Sequence, residues 1–196
     1  MALIESVKEG AHGAVVATVA GGSLVHFKAR YLAYGDGAAA PEPGAVVDDA
    51  ELAYAAACTE AEAAATALLY RAEQYRAGLE RKLSLKGHDR KPLRAALDHL
   101  EREGLLCDRR FAAAWIRQRL RRRAEGPASL RLGLASRGVE RGAVELALAE
   151  LLDGESRPGF IRDAAERSGL VDPAELKGFL KGLGWKGGEI DDALDR

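Results

Sequence analysis

Two kinds of hydrophobic spacing divide the chain. Near its start, Ala14–Ala20 (AVVATVA) and Ser23–Lys28 (SLVHFK) are short β-branched-rich runs joined by Gly21-Gly22, and Ala2–Lys8 (ALIESVK) alternates apolar with polar positions. This pattern predicts a β-hairpin with a two-residue glycine turn and a third strand beside it. A loop rich in glycine, alanine and proline (AYGDGAAAPEPG) follows, and Asp48 with Glu51 three residues on marks a helix start. Residues 1–58 read as a small β-rich module with a linking helix.

From about residue 60 the spacing becomes helical, and it repeats. LERKLSLKGHDRKPLRAAL (79–97), LRLGLASRGVERGAVELAL (130–148) and LKGFLKGLGWKGGEIDDAL (176–194) align without gaps at offsets of 51 and 46 residues. The shared pattern is Leu-x3-Leu-x3-Gly-x5-[LVI]-x2-Ala-Leu. Leu79, Leu130 and Leu176 correspond, as do Gly87, Gly138 and Gly184, then Leu93, Val144 and Ile190. Leucines four apart share a helix face, and the glycine ends that helix by taking a left-handed conformation. A further helix precedes each pair, at 60–72, 108–122 and 156–168. Gly126-Pro127 and Asp172-Pro173 open equivalent helices with proline in the first turn, and Asp172 with Glu175 adds a cap. Three-helix units of this size bury little alone but share apolar surface when stacked. The expected fold is mainly α: three tandem three-helix repeats (59–105, 106–153, 154–196) in an elongated array, preceded by the small N-terminal β-hairpin/three-strand module.

Charge sharpens this picture. The net charge of −1 over 196 residues hides a segregation. Residues 1–69 hold 3 Lys/Arg against 9 Asp/Glu (−6), residues 70–141 hold 19 against 9 (+10), and residues 142–196 hold 7 against 12 (−5). A basic middle between acidic ends suits a polyanion or an acidic protein partner. Its densest point is WIRQRLRRRAEG, where Arg117, Arg119, Arg121, Arg122 and Arg123 fall within seven positions. At 100° per residue, Arg117 and Arg121 face away from the apolar stripe of Phe111, Trp115, Ile116 and Leu120, and solvation explains them. Arg119 and Arg123 lean toward Trp115 and Ile116, where a guanidinium either snorkels, pairs with an acid or reaches into a groove. Arg122 lies near the edge of the stripe. Lys82, Lys86, Arg131 and Arg137 add charge on the second helices of units one and two, with Lys86 and Arg137 at equivalent positions. These nine residues are the candidate contacts for a partner.

Catalytic chemistry is not legible. His88 and His99 lack zinc-spaced companions, and no G-x-S-x-G, H-E-x-x-H or Walker pattern occurs. Cys107 has no base at a recognisable spacing and reads as a small buried residue; the two cysteines, Cys58 and Cys107, suggest no disulfide framework. Gly182-Leu183-Gly184-Trp185-Lys186-Gly187 matches the dinucleotide fingerprint by letter, but a helix, not a strand, precedes it. The glycines at 178, 182, 187 and 188 suggest a loosely held last unit. No catalytic residue, metal or cofactor is expected. With no signal-like or membrane-spanning run, the chain reads as a cytoplasmic monomer.

The residues that carry the repeat resemble the RecX family of recombination regulators. RKLSLKGHDRKPLRAALDHLEREGLLCDRRFAAAWIRQRL running into GPASLRLGLASRGV is similar in its Lys86-Gly87 turn, its junction from Gly104 through Asp108 to Ala112, and its Gly126-Pro127 opening. The strand-rich start with Tyr34-Gly35 resembles longer members. The likeness is densest over residues 70–150 and thinner in the glycine-rich third unit. It implies a non-enzymatic modulator that binds the RecA filament on single-stranded DNA, lies in its groove, and inhibits ATP hydrolysis and strand exchange in recombination, repair and the SOS response. Some members also bind DNA directly. Two other readings stay open on the residues alone: a stand-alone DNA-binding protein with helix-turn-helix-like recognition helices, and a pure protein-interaction array. Leu130, Leu132 and Leu134 leave little room for base-reading side chains in unit two.

Overall fold

The computed structural model describes residues 1–10, 13–32 and 39–195; Tyr34-Gly35 lies outside the described residues. Alternation builds strands β1 (Ala2–Glu9), β2 (Ala14–Val19) and β3 (Ser23–Lys28), and a short β4 (Val46–Val47) joins them. All pair antiparallel in the order β3-β2-β1-β4. The hairpin differs from its two-residue expectation. Val19 pairs with Ser23, so the loop is Ala20–Gly22, closed by the Gly22 N–H donating to the Val19 carbonyl at 2.9 Å. Both glycines have positive φ, 95° and 77°, which is why that position tolerates no side chain cheaply.

Helix α1 runs unbroken from Asp49 to Leu69, with the Asp48 carboxylate accepting from the Ala50 N–H. The linking helix and the helix expected at 60–72 are therefore one element. Its first half carries Leu52, Ala55 and Cys58 against Ile4, Val15, Ala17 and Phe27 of the sheet. Its second half carries Ala61 and Ala65 in a cluster with Leu79, Leu83, Leu93, Leu97, Leu100 and Leu106, from α2 (Arg76–Ser84), α3 (Arg90–Arg102) and the turn after it. A polar network ties the strands to both helices. Lys28 Nζ donates to Glu62 Oε1 at 2.6 Å, the Tyr31 hydroxyl donates to Glu62 Oε2 at 2.7 Å, and Arg30 meets His99. Burial acts to raise the Glu62 carboxyl, but the hydrogen bonds from Lys28 and Tyr31 outweigh it and hold it below the ordinary carboxylate value. Burial, and then the Arg30 charge, hold His99 below its ordinary value.

Residues 1–72 and 79–106 form one compact unit, and residues 73–78 with 107–196 form a second. The second holds α4 (Asp108–Arg123), α5 (Pro127–Ala135), α6 (Arg141–Leu151), α7 (Arg157–Ser168), α8 (Pro173–Gly182) and α9 (Gly187–Leu194). Gly87, Gly138 and Gly184 take φ of 92°, 81° and 95°, ending α2, α5 and α8 as the repeat requires. Pro127 and Pro173 open α5 and α8, and Asp172 accepts from the Glu175 N–H at 2.8 Å. One continuous core passes from Ile116, Leu120, Leu130, Leu134, Val144 and Leu148 to Ile161, Leu180, Trp185 and Ile190. The last three helices thus share their core with α4 to α6. Gly178, Gly182 and Gly188 sit where nothing packs, while the apolar positions between them complete a shared interior.

Two turns lock this core. The Gly126 N–H donates to the Leu183 carbonyl at 2.7 Å, and the Ala128 N–H donates to the Gly184 carbonyl at 3.3 Å. A Cβ on Gly126 would lie 2.4 Å from the Gly184 carbonyl carbon, and a Cβ on Gly184 would lie 2.5 Å from Ser129 Oγ. The glycines of the false dinucleotide fingerprint include one that serves this close backbone approach.

The junction stretch is fastened in the same unit. Asp108 Oδ1 accepts from the Arg76 N–H at 2.8 Å and so caps α2 from 32 residues away, while Arg110 pairs with Glu73 and Phe111 packs on Tyr75 with ring centroids 4.6 Å apart. Cys107 is not buried as expected: it is the N-cap residue of α4 and partly exposed, because the chain turns outward there to place Asp108 on the α2 terminus. Cys58 is buried in the first unit, and burial pushes its thiol up.

Candidate interaction surface

The arginines of α4 sort by their partners. Arg117 is exposed and donates to Glu150 on α6 at 3.0 Å. Arg119 is half-buried and grips Glu125 with both ends of its fork, Nε to Oε2 at 3.0 Å and Nη2 to Oε1 at 2.9 Å. The Glu125 side chain is only 7% exposed, so this pair is inward and structural. Arg119 also stands 5.2 Å from the Trp115 ring centroid, and Arg137 stands 5.0 Å from it; Arg137 lies in the turn after α5 and not on that helix as expected, because the helix ends at Ala135. Two guanidiniums thus share one indole. Arg137 is further held by donating to the Gly133 carbonyl at 2.6 Å. The ring needs Gly133, since a Cβ there would come within 2.6 Å of Trp115 Cη2.

Arg123 does not lean inward with Arg119 as the helical wheel requires; it is exposed. It is the last residue of α4, and Ala124 turns to φ 49°, ψ 46° directly after it. Among the described residues, no carboxylate pairs with Arg121, Arg122 or Arg123. Arg122 and Arg123 instead line a depression of ≈ 340 Å³ with Ala164 and Arg167 of α7, Phe179 of α8, and Leu183 just beyond it. Arg167 is fixed there by donating to the Arg121 carbonyl at 3.1 Å and pairing with Asp163.

The remaining candidates lie apart in chemistry or in place. Arg131 on α5 makes two hydrogen bonds to Glu145 of α6, at 2.7 and 2.8 Å; they hold the arginine up and the carboxylate down from their ordinary values. Lys82 is exposed on the part of α2 that belongs to the first compact unit, and Lys86 is exposed in the turn after it, not on the helix as expected, because α2 ends at Ser84. Arg167 and Phe179 escape sequence reasoning because the third segment is acidic on average, and averaging hides one arginine beside one aromatic. Glu125 is the one carboxylate directly after the run of arginines, a signal the wheel ignores. Among the described residues, no group of three or more His, Cys, Asp or Glu is placed to hold a metal ion, and no helix is long and apolar enough to cross a membrane.

Helical triplets joined by tight glycine turns, with an arginine-lined surface, define a tandem three-helix protein. The family model for the second three-helix domain of RecX matches residues 108–148, the span of α4 to α6 up to Leu148. Regulatory protein RecX of Halorhodospira halophila is 37% identical over 119 residues, covering 60% of this chain and 72% of that protein. Its counterpart in Mycolicibacterium vanbaalenii is 32% identical over 117 residues, 58% of this chain and 64% of the relative. Matches to Pseudomonas fluorescens RecX reach 40% identity over 83 residues, so the chain spans 53% of those relatives' length. A crystal structure of regulatory protein RecX shares the fold at a TM-score of 0.75 with 15% identity, covering 100% of both chains. RecX from Lactobacillus salivarius does so at 0.63 with 20% identity, over 71% of this chain and 95% of that one. The chain belongs to the RecX family of regulatory proteins.

Proposed function

We propose that the chain is a non-enzymatic regulator that binds the RecA filament on single-stranded DNA and lowers its ATP hydrolysis and strand exchange. It acts as a cytoplasmic monomer, with DNA as a direct contact where the filament exposes it. The observation that carries this reading is family membership joined to the end of α4, where Arg121, Arg122 and Arg123 stand exposed without a carboxylate partner among the described residues. A guanidinium already held by an acid has little left for a partner; an unpaired one retains its full fork of donors. The nine candidates therefore separate. Arg122 and Arg123 lead, with Arg121 and Lys86 as supporting charge, while Arg119, Arg131 and Arg137 hold the surface in shape and Arg117 and Lys82 lend part of their charge. A stand-alone duplex reader fits less well, because α5 turns Leu130 and Leu134 inward and commits Arg131 to Glu145.

The test is RecA-dependent ATP hydrolysis on single-stranded DNA, run beside DNA binding without RecA at two salt concentrations. Inhibition that weakens with salt is expected. Tight binding to duplex DNA with no effect on RecA would overturn the reading.

A further inference from the structure

The depression between α4, α7 and α8 combines two features absent from the rest of the arginine surface. Three guanidiniums, of Arg122, Arg123 and Arg167, line it; among the described residues its lining holds no carboxylate, and Asp163 beside it pairs with Arg167 alone. Its wall includes Ala164, Leu183 and Phe179, the last 39% exposed, so an apolar surface stands open among like charges. Like charges in proximity repel, and an open aromatic ring gains nothing from water; both disadvantages disappear when an acidic, partly apolar ligand arrives.

We infer that this depression is a docking site for an acidic segment of a partner protein, anchored by one apolar side chain. The inference rests on the proposed regulatory reading, to which it adds the chemistry of the partner. Carboxylates on the segment meet the guanidinium forks of Arg122 and Arg123, which have no competing acid. Arg167 is held by the Arg121 carbonyl and Asp163, so it shapes the wall of the depression while Arg122 and Arg123 supply the charge that meets the segment. The anchor lies against Phe179 and Leu183, giving the aromatic-and-arginine centre from which protein interfaces draw most of their affinity. Charge complementarity selects the occupant. A nucleic-acid strand suits the site less well, since strands bind along grooves with successive stacking platforms and only one aromatic faces this depression.

The experiment uses the full chain and a fluorescein-labelled peptide, Asp-Glu-Asp-Phe-Glu-Asp-Glu, with a version carrying serine for phenylalanine and an oligothymidylate as comparison probes. Arg122→Glu with Arg123→Glu is expected to weaken peptide binding by about tenfold or more, and Phe179→Ser to remove the preference for phenylalanine over serine. All three positions are exposed, and unchanged thermal melting confirms that the variants fold. No binding of the phenylalanine peptide by the unaltered chain overturns the site. So does charge reversal that leaves peptide affinity unchanged or affects only the oligothymidylate. RecA-dependent ATP hydrolysis measured on the same samples separates the two claims. Lost inhibition with unchanged peptide affinity removes the docking site and leaves the regulatory reading. Groove-dependent peptide binding by a chain that never affects RecA does the reverse.

Discussion

The indole N–H of Trp185 donates to the carbonyl of Ala124 at 2.9 Å, and Ala124 is the residue at which the arginine helix ends in left-handed backbone. Both residues are buried. A buried carbonyl deprived of its donor loses about 1–3 kcal/mol, so Trp185→Phe is expected to lower stability by that order in urea unfolding. Ala124→Gly is expected to change it far less, because relief of positive φ offsets the lost methyl group. A Trp185→Phe chain as stable as the parent would show that the bond contributes nothing.

Gly126 and Gly184 face one another across main-chain atoms. Gly126→Ala is expected to cost about 1–3 kcal/mol through overpacking, and Gly184→Ala more, since its φ of 95° adds strain to the clash with Ser129. Gly178→Ala is the control: nothing lies within 4 Å of its added Cβ, and a gain of about 0.5–1 kcal/mol is expected. Denaturant midpoints of the three variants order these effects.

Glu125 is buried and Arg119 is its only ion-pair partner among the described residues. Arg119→Ala should therefore destabilise by about 1–3 kcal/mol, the penalty of a buried acceptor left unsatisfied, while Arg117→Ala should cost under about 1 kcal/mol because its pair with Glu150 is exposed. The double variant Arg119→Ala/Glu125→Ala should lose less than the two single losses added together. Strict additivity would contradict the pairing.

Acid should weaken the first compact unit in two stages. His99 titrates below its ordinary 6.5, so the unfolded chain takes up the proton first and stability falls as pH drops below that value. Glu62 is held below its ordinary 4.5, so its contribution is present above that value and is lost as pH falls through the folded one. His99→Gln is expected to flatten the first stage and leave the second, as read by thermal melting from about pH 7.5 to about pH 2.5.

Much of this architecture is legible in the residues because it follows local rules. Gly87, Gly138 and Gly184 each close a helix, and Pro127 and Pro173 each open one, so the repeat phases itself along the chain. The strands β1 to β3 are likewise set by alternation. What escapes is non-local. The second role of Gly184 depends on Gly126, 58 positions away, which the repeat marks as a helix start but not as a partner of Gly184. The wheel sets Arg119 and Arg123 on one face and does not show that, among the described residues, only Arg119 meets a carboxylate. The depression beside it draws Arg122, Arg167 and Phe179 from three helices, and only packing brings them together. Arg119 is the instructive middle case: its inward lean is legible, its partner Glu125 is not.

The contact that fastens the Gly126 turn to the Gly184 turn consists of amides, carbonyls and two missing Cβ atoms, with no ionisable group in it. The surface beside it carries its charge on the guanidiniums of Arg122, Arg123 and Arg167. Salt that screens those guanidiniums therefore leaves this turn-to-turn contact in place, and a partner bound as proposed can be released without breaking it.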